Sequence, residues 1–235
     1  FMINKNLNFF EKNGYLLLNN CFSDQEVDNL RGKIKKLSNN SKESSYLLLS
    51  SCLKEKEIFE TIFNKKLVEA YKELIQDDIY LIPELHVQIN HFPKNNKQGW
   101  HYDGQSERQH KYLKDPKRKF FRVGIYLQDN NKNFGGGIDI LKSKLFKKLP
   151  FKIPNRLEKK IIEFYTIFFS SRVDTKKGSV IIFDSRLPHK GTFPLKNPSE
   201  NEFRDKYTIY FQIGNKEHCN YFLKNSIDRM FINYK

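Results

Sequence analysis

The stretch Gly99-Trp100-His101-Tyr102-Asp103 places a histidine and an aspartate at alternate positions of the chain. In an extended segment, residues i and i+2 point to the same side, so His101 and Asp103 can bind one ion together. A surface histidine beside a turn aspartate also gives this pair by chance, so the pair alone does not define a site.

A third candidate ligand, His189, follows the apolar run that extends from Gly178 to Asp184. The run predicts a strand, and the Pro188-His189 turn after it would hold the imidazole at a rigid edge. Two imidazoles and one carboxylate on one face of an octahedral ion are the ligand set of non-haem iron(II) oxygenases. The three residues therefore predict a catalytic metal site.

An arginine, Arg204, precedes the next run, Tyr207 to Gly214, whose aromatic and β-branched residues predict a strand. A guanidinium keeps its charge and donates two parallel hydrogen bonds, which suits the distal carboxylate of a dicarboxylate. A surface arginine beside Asp205 is the alternative interpretation.

These motifs occur in a characteristic order: His101-x-Asp103, the glycine-rich run Phe134 to Leu141, His189 and Phe203-Arg204. Over roughly residues 80 to 214 the chain resembles the phytanoyl-CoA dioxygenase family. The resemblance implies a dioxygenase that uses iron(II), 2-oxoglutarate and O2 and converts 2-oxoglutarate to succinate. It also implies that His101, Asp103 and His189 bind the iron and are catalytic, and that Arg204 binds 2-oxoglutarate.

Two departures from the family pattern bear on the cosubstrate and substrate contacts. Lys190 stands between His189 and Gly191-Thr192, and Lys142-Ser143-Lys144 replaces the sequence that usually follows the glycines. Thr192 is a candidate 2-oxoglutarate contact by comparison with the family's serine. Because family members that halogenate lack the carboxylate ligand, Asp103 favours hydroxylation.

Helical patterns come first in the chain and strand patterns follow. Ser23-Asp24-Gln25-Glu26 is a capping box that opens a helix through about Leu37, and residues 54–76 have the apolar spacing of one or two helices. Strands are predicted at residues 15–18, 79–92, 120–128, 137–141, 179–183 and 207–213. This order predicts a mainly β fold with an α flank: a double-stranded β-helix (jelly-roll) core with N-terminal helices and a C-terminal helix.

The length of 235 residues favours one oxygenase domain over residues 1–235. Its parts would be a helical region at about 1–78, the jelly-roll core at about 79–214 and a helix at about 216–234. Residues 145–172 predict a helix or an insertion, and whether they form a lid stays open.

Two predicted strands alternate apolar and polar residues. Leu85 to Asn90 and Phe121 to Gln128 each place apolar residues at odd positions and mostly polar ones at even positions. If the polar faces point into the barrel, Gln88, Asn90 and Tyr126 are candidate cosubstrate contacts. If those faces meet solvent, the three residues have no such role.

The formal net charge of +15 is spread along the chain, which makes nucleic acid an improbable partner. Basic residues do gather directly after the His-x-Asp pair, where a loop must pass the mouth of the site. They could attract a small anionic metabolite by focusing the local field, unless the loop is only a solvated surface. The candidate substrate-binding residues are Trp100, Arg108, Lys117, Arg118 and Lys119.

Two rival classes stay open. A nucleic-acid demethylase of the same superfamily would suit the positive charge, but its pattern has a second arginine at position 210, where this chain has Tyr210. A cupin-like sugar isomerase or binding protein would give no reason for Arg204 to follow His189. Scattered cysteines, no signal-peptide pattern and no apolar run of membrane-spanning length predict a cytoplasmic protein with no membrane contact. The sequence does not indicate an oligomeric state.

Overall fold

A computed structural model of the chain describes residues 5–39, 46–47, 55–90, 99–101, 103, 118–131, 133, 135–142, 155–192 and 206–223. For residues 39, 46–47, 83–84, 90, 155–159 and 162 the description is limited to the backbone. The described helices are α1 (Lys5–Asn13), α2 (Asp24–Asn39), α3 (Lys56–Glu60), a 3-10 turn (Thr61–Phe63), α4 (Lys65–Ile75), α5 (Asn155–Phe169) and α6 (216–223). The strands are β1 (Tyr15–Leu18), β2 (Tyr46–Leu47), β3 (Tyr80–Asn90), β4 (Phe120–Tyr126), β5 (Ile138–Leu141), β6 (Ser170–Val173), β7 (Val180–Phe183), β8 (His189–Gly191) and β9 (Lys206–Gly214).

The strands form two antiparallel sheets. The larger sheet has the order β1-β7-β4-β9-β3-β2, and the smaller has the order β6-β5-β8. Side chains of both sheets meet in one apolar cluster, in which Tyr126, Ile181 and Phe183 of the larger sheet join Ile138 and Ile140 of the smaller. Two antiparallel sheets that face each other across a shared core are the architecture of a jelly roll. The predicted fold class is confirmed.

The opposite face of the larger sheet packs on the N-terminal helices. Leu85, Val87 and Ile89 of β3 are buried there, as are Phe121, Val123 and Ile125 of β4, in one cluster with apolar residues of α1, α2 and α4. The odd positions of these strands therefore face the helices. The even positions face the barrel interior, so the inward orientation of the polar faces, rather than the solvent-facing alternative, is correct.

A capping box explains where α2 begins, and a glycine turn explains how the chain enters β7. At the start of α2, the Glu26 carboxylate accepts a hydrogen bond from the Ser23 backbone N–H at 2.7 Å, and the Ser23 hydroxyl accepts one from the Glu26 N–H at 3.3 Å, as the capping box predicts. Before β7, Gly178 has φ +75°, and a Cβ there would lie 2.6 Å from the Phe22 carbonyl oxygen. Only glycine fits this turn, which joins the sheet to the α2 region.

Two regions differ from the sequence prediction or extend beyond the described residues. Residues 145–172 contain α5 and also most of β6, which carries one buried apolar residue, Val173, and so has no strand periodicity to find. The predicted C-terminal helix begins at residue 216 as expected, and its part beyond residue 223 lies outside the described residues. The single-domain organisation stays a prediction. None of the helices in the described ranges has the length and apolar character of a membrane span.

Candidate metal centre

His101, Asp103 and His189 lie together at the edge of the smaller sheet. One ligand atom from each can be chosen so that all lie within 4.8 Å of one another. The Nε2 atom of His189 is 3.9 Å from Oδ1 of Asp103, and the two imidazole centroids are 4.5 Å apart. These separations are those of donors that surround one common point.

Backbone pairing brings the three residues together. His101 and His189 form an antiparallel bridge, in which each N–H donates to the other's carbonyl oxygen, at 3.0 and 2.7 Å. The N–H of Asp103 donates to the Ser185 carbonyl at 3.1 Å, and His189 pairs with Ile140 of β5. The His-x-Asp segment thus extends the smaller sheet beyond β8, which places ligands distant in sequence side by side.

Both imidazoles are oriented by backbone carbonyls. Nδ1 of His101 lies 3.0 Å from the Gly99 carbonyl oxygen, and Nδ1 of His189 lies 2.8 Å from that of Leu187. Because a carbonyl can only accept, each Nδ1 carries a proton, and in a neutral imidazole this leaves on Nε2 the lone pair that binds metals. Burial lowers the pKa of His189 to about 4, so its imidazole is neutral at physiological pH.

Asp103 is held by an arginine that the sequence analysis did not select. Nε of Arg122, on β4, donates to Oδ2 of Asp103 at 3.0 Å. Burial would raise the pKa of Asp103, but the charge and the hydrogen bond of the Arg122 guanidinium act in the opposite direction, and the net shift is downward. The carboxylate is therefore ionised, as metal binding requires. Alternation could have found Arg122, because it lies on the same strand face as Tyr126.

Strand alternation places two of the predicted cosubstrate residues, Tyr126 and Gln88, on the interior side of the barrel. Tyr126 lies inside the barrel, four residues beyond Arg122 and so roughly 13 Å further along β4. Its hydroxyl is 3.5 Å from that of Tyr210, and burial raises its pKa well above the ordinary value. Gln88 is half-buried on the interior face of β3, opposite Thr208. The side chain of Asn90 lies outside the described residues.

Thr192 is not brought to the three ligands. It lies on the opposite face of its strand from His189, and its hydroxyl donates to Oδ1 of Asp139 at 3.1 Å. Asp139 also pairs with Arg172 and Lys190 on this outer face. The predicted contact between Thr192 and 2-oxoglutarate is corrected accordingly, because this hydroxyl is engaged elsewhere.

Two of the predicted substrate-binding residues, Arg118 and Lys119, are also corrected. The Arg118 guanidinium is buried 3.9 Å from the Tyr221 ring centroid, and its Nη2 donates to Nδ1 of His218 at 2.8 Å. Nζ of Lys119 donates to the Ile75 carbonyl at 2.8 Å. Both side chains stabilise the fold instead of presenting charge to a substrate.

The other predicted substrate and cosubstrate residues are placed as follows. Trp100 is half-buried, and Nζ of Lys190 lies 5.0 Å from its ring centroid. Arg108, Lys117 and Arg204 lie outside the described residues.

The start of β9, just after Arg204, carries a buried lysine. Nζ of Lys206 donates to the Gly135 carbonyl and lies 3.5 Å from Oδ1 of Asn130. Burial lowers the pKa of Lys206 to about 8. The structure thus places a cation on the interior side of β9, next to the glycine-rich turn.

A jelly roll with two imidazoles and an ionised carboxylate gathered at one sheet edge is the arrangement typical of non-haem iron oxygenases. The family model for phytanoyl-CoA dioxygenase matches residues 10–194, and the chain belongs to this family. The family and oxygenase class inferred from the sequence motifs are confirmed, and with them the family's cofactor set of iron, 2-oxoglutarate and O2. A search of curated proteins by sequence finds no match.

Solved structures share the fold at low sequence identity. HygX from Streptomyces hygroscopicus, with nickel and 2-oxoglutarate bound, aligns with a TM-score of 0.68 at 14% identity, over 92% of this chain and 88% of that one. EctD from S. alaskensis with bound Fe gives 0.65 at 15% identity, over 90% and 76%. SnoN, a non-heme alpha ketoglutarate dependent epimerase from nogalamycin biosynthesis, gives 0.65 at 10% identity, over 90% and 81%. The fold therefore supports more than one reaction.

Proposed function

We propose that this member of the phytanoyl-CoA dioxygenase family hydroxylates a small molecule, using iron(II) held by His101, Asp103 and His189. The observation that carries the proposal is the convergence of one ligand atom from each of two imidazoles and one from an ionised carboxylate, all within 4.8 Å of one another. This donor set fits iron(II), because imidazole and carboxylate are the ligands of non-haem iron centres. Bound iron would supply the activation of O2, coupled to decarboxylation of 2-oxoglutarate.

The protein's own residues would set geometry and protonation at this centre. The carbonyls of Gly99 and Leu187 fix the rings of His101 and His189, and thereby their Nε2 atoms. Asp103 supplies an anionic oxygen, which favours hydroxylation over halogenation. Neutral imidazoles and one carboxylate leave a bound iron(II) with net positive charge, which favours an anionic cosubstrate.

For 2-oxoglutarate we propose Arg204 as the group that binds the distal carboxylate, with Gln88, Asn90 and Tyr126 as further contacts. The support is positional: Arg204 precedes β9, and residues 204 and 206 of an extended segment share a face. Lys206, two residues further along the chain, lies on the interior side of the barrel. Lys206 is the alternative cation for this role.

The proposed substrate is a small, anionic metabolite, with Arg108 and Lys117 as remaining candidate contacts, whereas Trp100 lies against Lys190 of the outer face. The net charge of +15 favours an anion, although Arg118 and Lys119 do not contribute to a substrate-binding loop. Nucleic acid is less favoured, because Tyr210, which pairs with His86 of β3, stands at the position where a second arginine would be required.

Succinate release against a panel of phosphorylated, nucleotide-linked, amino-acid and lipid compounds tests this proposal. A substrate should raise succinate release and gain the mass of one oxygen atom, and turnover at low substrate should fall with added salt if the substrate is anionic. A product of unchanged mass would replace hydroxylation by isomerisation. Coupled turnover of a neutral compound, insensitive to salt, would refute the anionic assignment.

A further inference from the structure

We propose that Arg122 is a positioning residue that restricts Asp103 to one metal-binding oxygen and so keeps a coordination position open for 2-oxoglutarate. This inference rests on the proposed function. Arg122 would act on the cosubstrate through Asp103.

The two oxygens of Asp103 have different surroundings. Oδ2 accepts a hydrogen bond from Nε of Arg122 at 3.0 Å, whereas Oδ1 is the oxygen nearer to His189, 3.9 Å from its Nε2. A charge-assisted bond of this kind is directional, so it fixes the rotation of the carboxylate. Oδ1 is thereby presented to the point shared with the imidazoles, while Oδ2 is turned toward β4.

The position of Arg122 in the sheet makes this contact a rigid one. β4 lies between β7 and β9, and Arg122 is paired with Phe183 on one side and with Gln212 on the other. The Arg122 side chain is 17% exposed and that of Asp103 is 26% exposed. The pair is thus shielded from most solvent and anchored on a strand with neighbours on both sides, unlike an exposed ion pair on a loop.

A second ion pair in the same barrel has nearly the same geometry and a different location. Nε of Arg172 donates to Oδ1 of Asp139 at 3.1 Å on the outer face of the smaller sheet. Asp139 is not one of the three candidate ligands. Loss of the Arg172–Asp139 pair is therefore a matched control: it removes an arginine–aspartate contact of the same kind, away from the metal ligands.

The number of coordination positions at the metal explains why one free oxygen of Asp103 matters. Around a bound iron, the three protein donors would leave three further positions of an octahedral ion for the cosubstrate and O2. If both oxygens of Asp103 could bind, one of those positions would be taken by the protein. Arg122 would prevent this by engaging Oδ2, and its loss should weaken 2-oxoglutarate binding more than iron binding.

Anaerobic titrations of the full chain with iron(II) and then with 2-oxoglutarate test the inference, with the visible charge-transfer band of the chelate as the spectroscopic readout. Arg122→Met should retain iron but bind 2-oxoglutarate about 10- to 100-fold more weakly, with a shifted or weakened band. Arg122→Lys, which keeps the charge and a donor, should recover most of the affinity. Arg172→Met should match the wild type in both readouts.

Several outcomes separate the possible explanations. An Arg122→Met protein with the wild-type band and 2-oxoglutarate affinity overturns the inference, and so does an equal loss in Arg172→Met. If Arg122→Met does not fold, Arg122→Gln carries the same comparison. If the wild type itself binds neither iron nor 2-oxoglutarate, the proposed function fails and the inference with it; if only the Arg122 comparison fails, the proposed function stands.

Discussion

Lowering the pH should destabilise the folded chain through one buried histidine outside the metal centre. Nδ1 of His218 accepts from Arg118 at 2.8 Å, its Nε2 lies 3.4 Å from Oε1 of Gln212, and its ring stacks on Phe120 at 4.0 Å. Both nitrogens are engaged while the ring is neutral. A second proton would have to bind to Nδ1, whose lone pair accepts the hydrogen bond from the Arg118 guanidinium.

The size of the effect follows from the difference in the pKa of His218 between the folded and the unfolded chain. Burial, with the charges of Arg118 and Arg186, lowers the pKa of His218 to about 3, against an ordinary value of 6.5. Between these two values the unfolded chain binds the extra proton and the folded chain does not, so stability is fully present above pH 6.5 and is lost as the pH falls toward 3. At pH 5 the loss relative to neutral pH is about 2 kcal/mol.

Urea unfolding at pH 7 and pH 5 measures this effect in the metal-free protein. The free energy of unfolding of the wild type should fall by about 2 kcal/mol more than that of His218→Gln over this interval. Contributions from His189 occur in both proteins and cancel. Cys219→Ser, a change at the adjacent helical residue, should keep the wild-type pH dependence. An identical pH dependence in wild type and His218→Gln would refute the reasoning.

Two other substitutions address the cosubstrate and the helical flank. Arg204→Ala should weaken 2-oxoglutarate binding, measured by calorimetry, by about 2–5 kcal/mol. Arg204→Lys should recover only part of this binding free energy, because lysine lacks the planar fork of arginine. Unchanged affinity in Arg204→Ala would transfer the role to Lys206. Ser23→Ala should lower the free energy of unfolding by about 1 kcal/mol in a urea titration, because α2 loses its capping hydroxyl, and a change near zero would show that the cap is dispensable.

The architecture could be predicted from the sequence because the spacing of apolar residues in each segment matches the face that the segment buries. The alternation from Leu85 to Ile89 and from Phe121 to Ile125 is the pattern of strands whose odd positions are buried under helices. β6 was missed because only Val173 of its residues is buried. A strand with one buried apolar side chain depends on its pairing with β5, and such pairing leaves no trace in local composition.

The candidate site was predictable in its ligands and less so in its surroundings. His101, Asp103 and His189 are identified by residue type and order, whereas Arg122 acquires its role only when β4 is placed beside Asp103. Arg118 shows the opposite error. It appeared to be a surface charge in a basic segment, but its guanidinium is buried between Tyr221 and His218, which are contributed by a helix distant in sequence. Charge patterns along the chain cannot distinguish these environments.

The central claim is that His101, Asp103 and His189 form one iron site. Anaerobic iron(II) loading followed by chelator competition tests it most directly, in the wild type, in His189→Ala and in His218→Gln, which removes an imidazole outside the three ligands. Each chain should retain one iron in the wild type and in His218→Gln, whereas His189→Ala should retain none while its circular dichroism spectrum is unchanged. Full iron retention in a folded His189→Ala protein would contradict the claim.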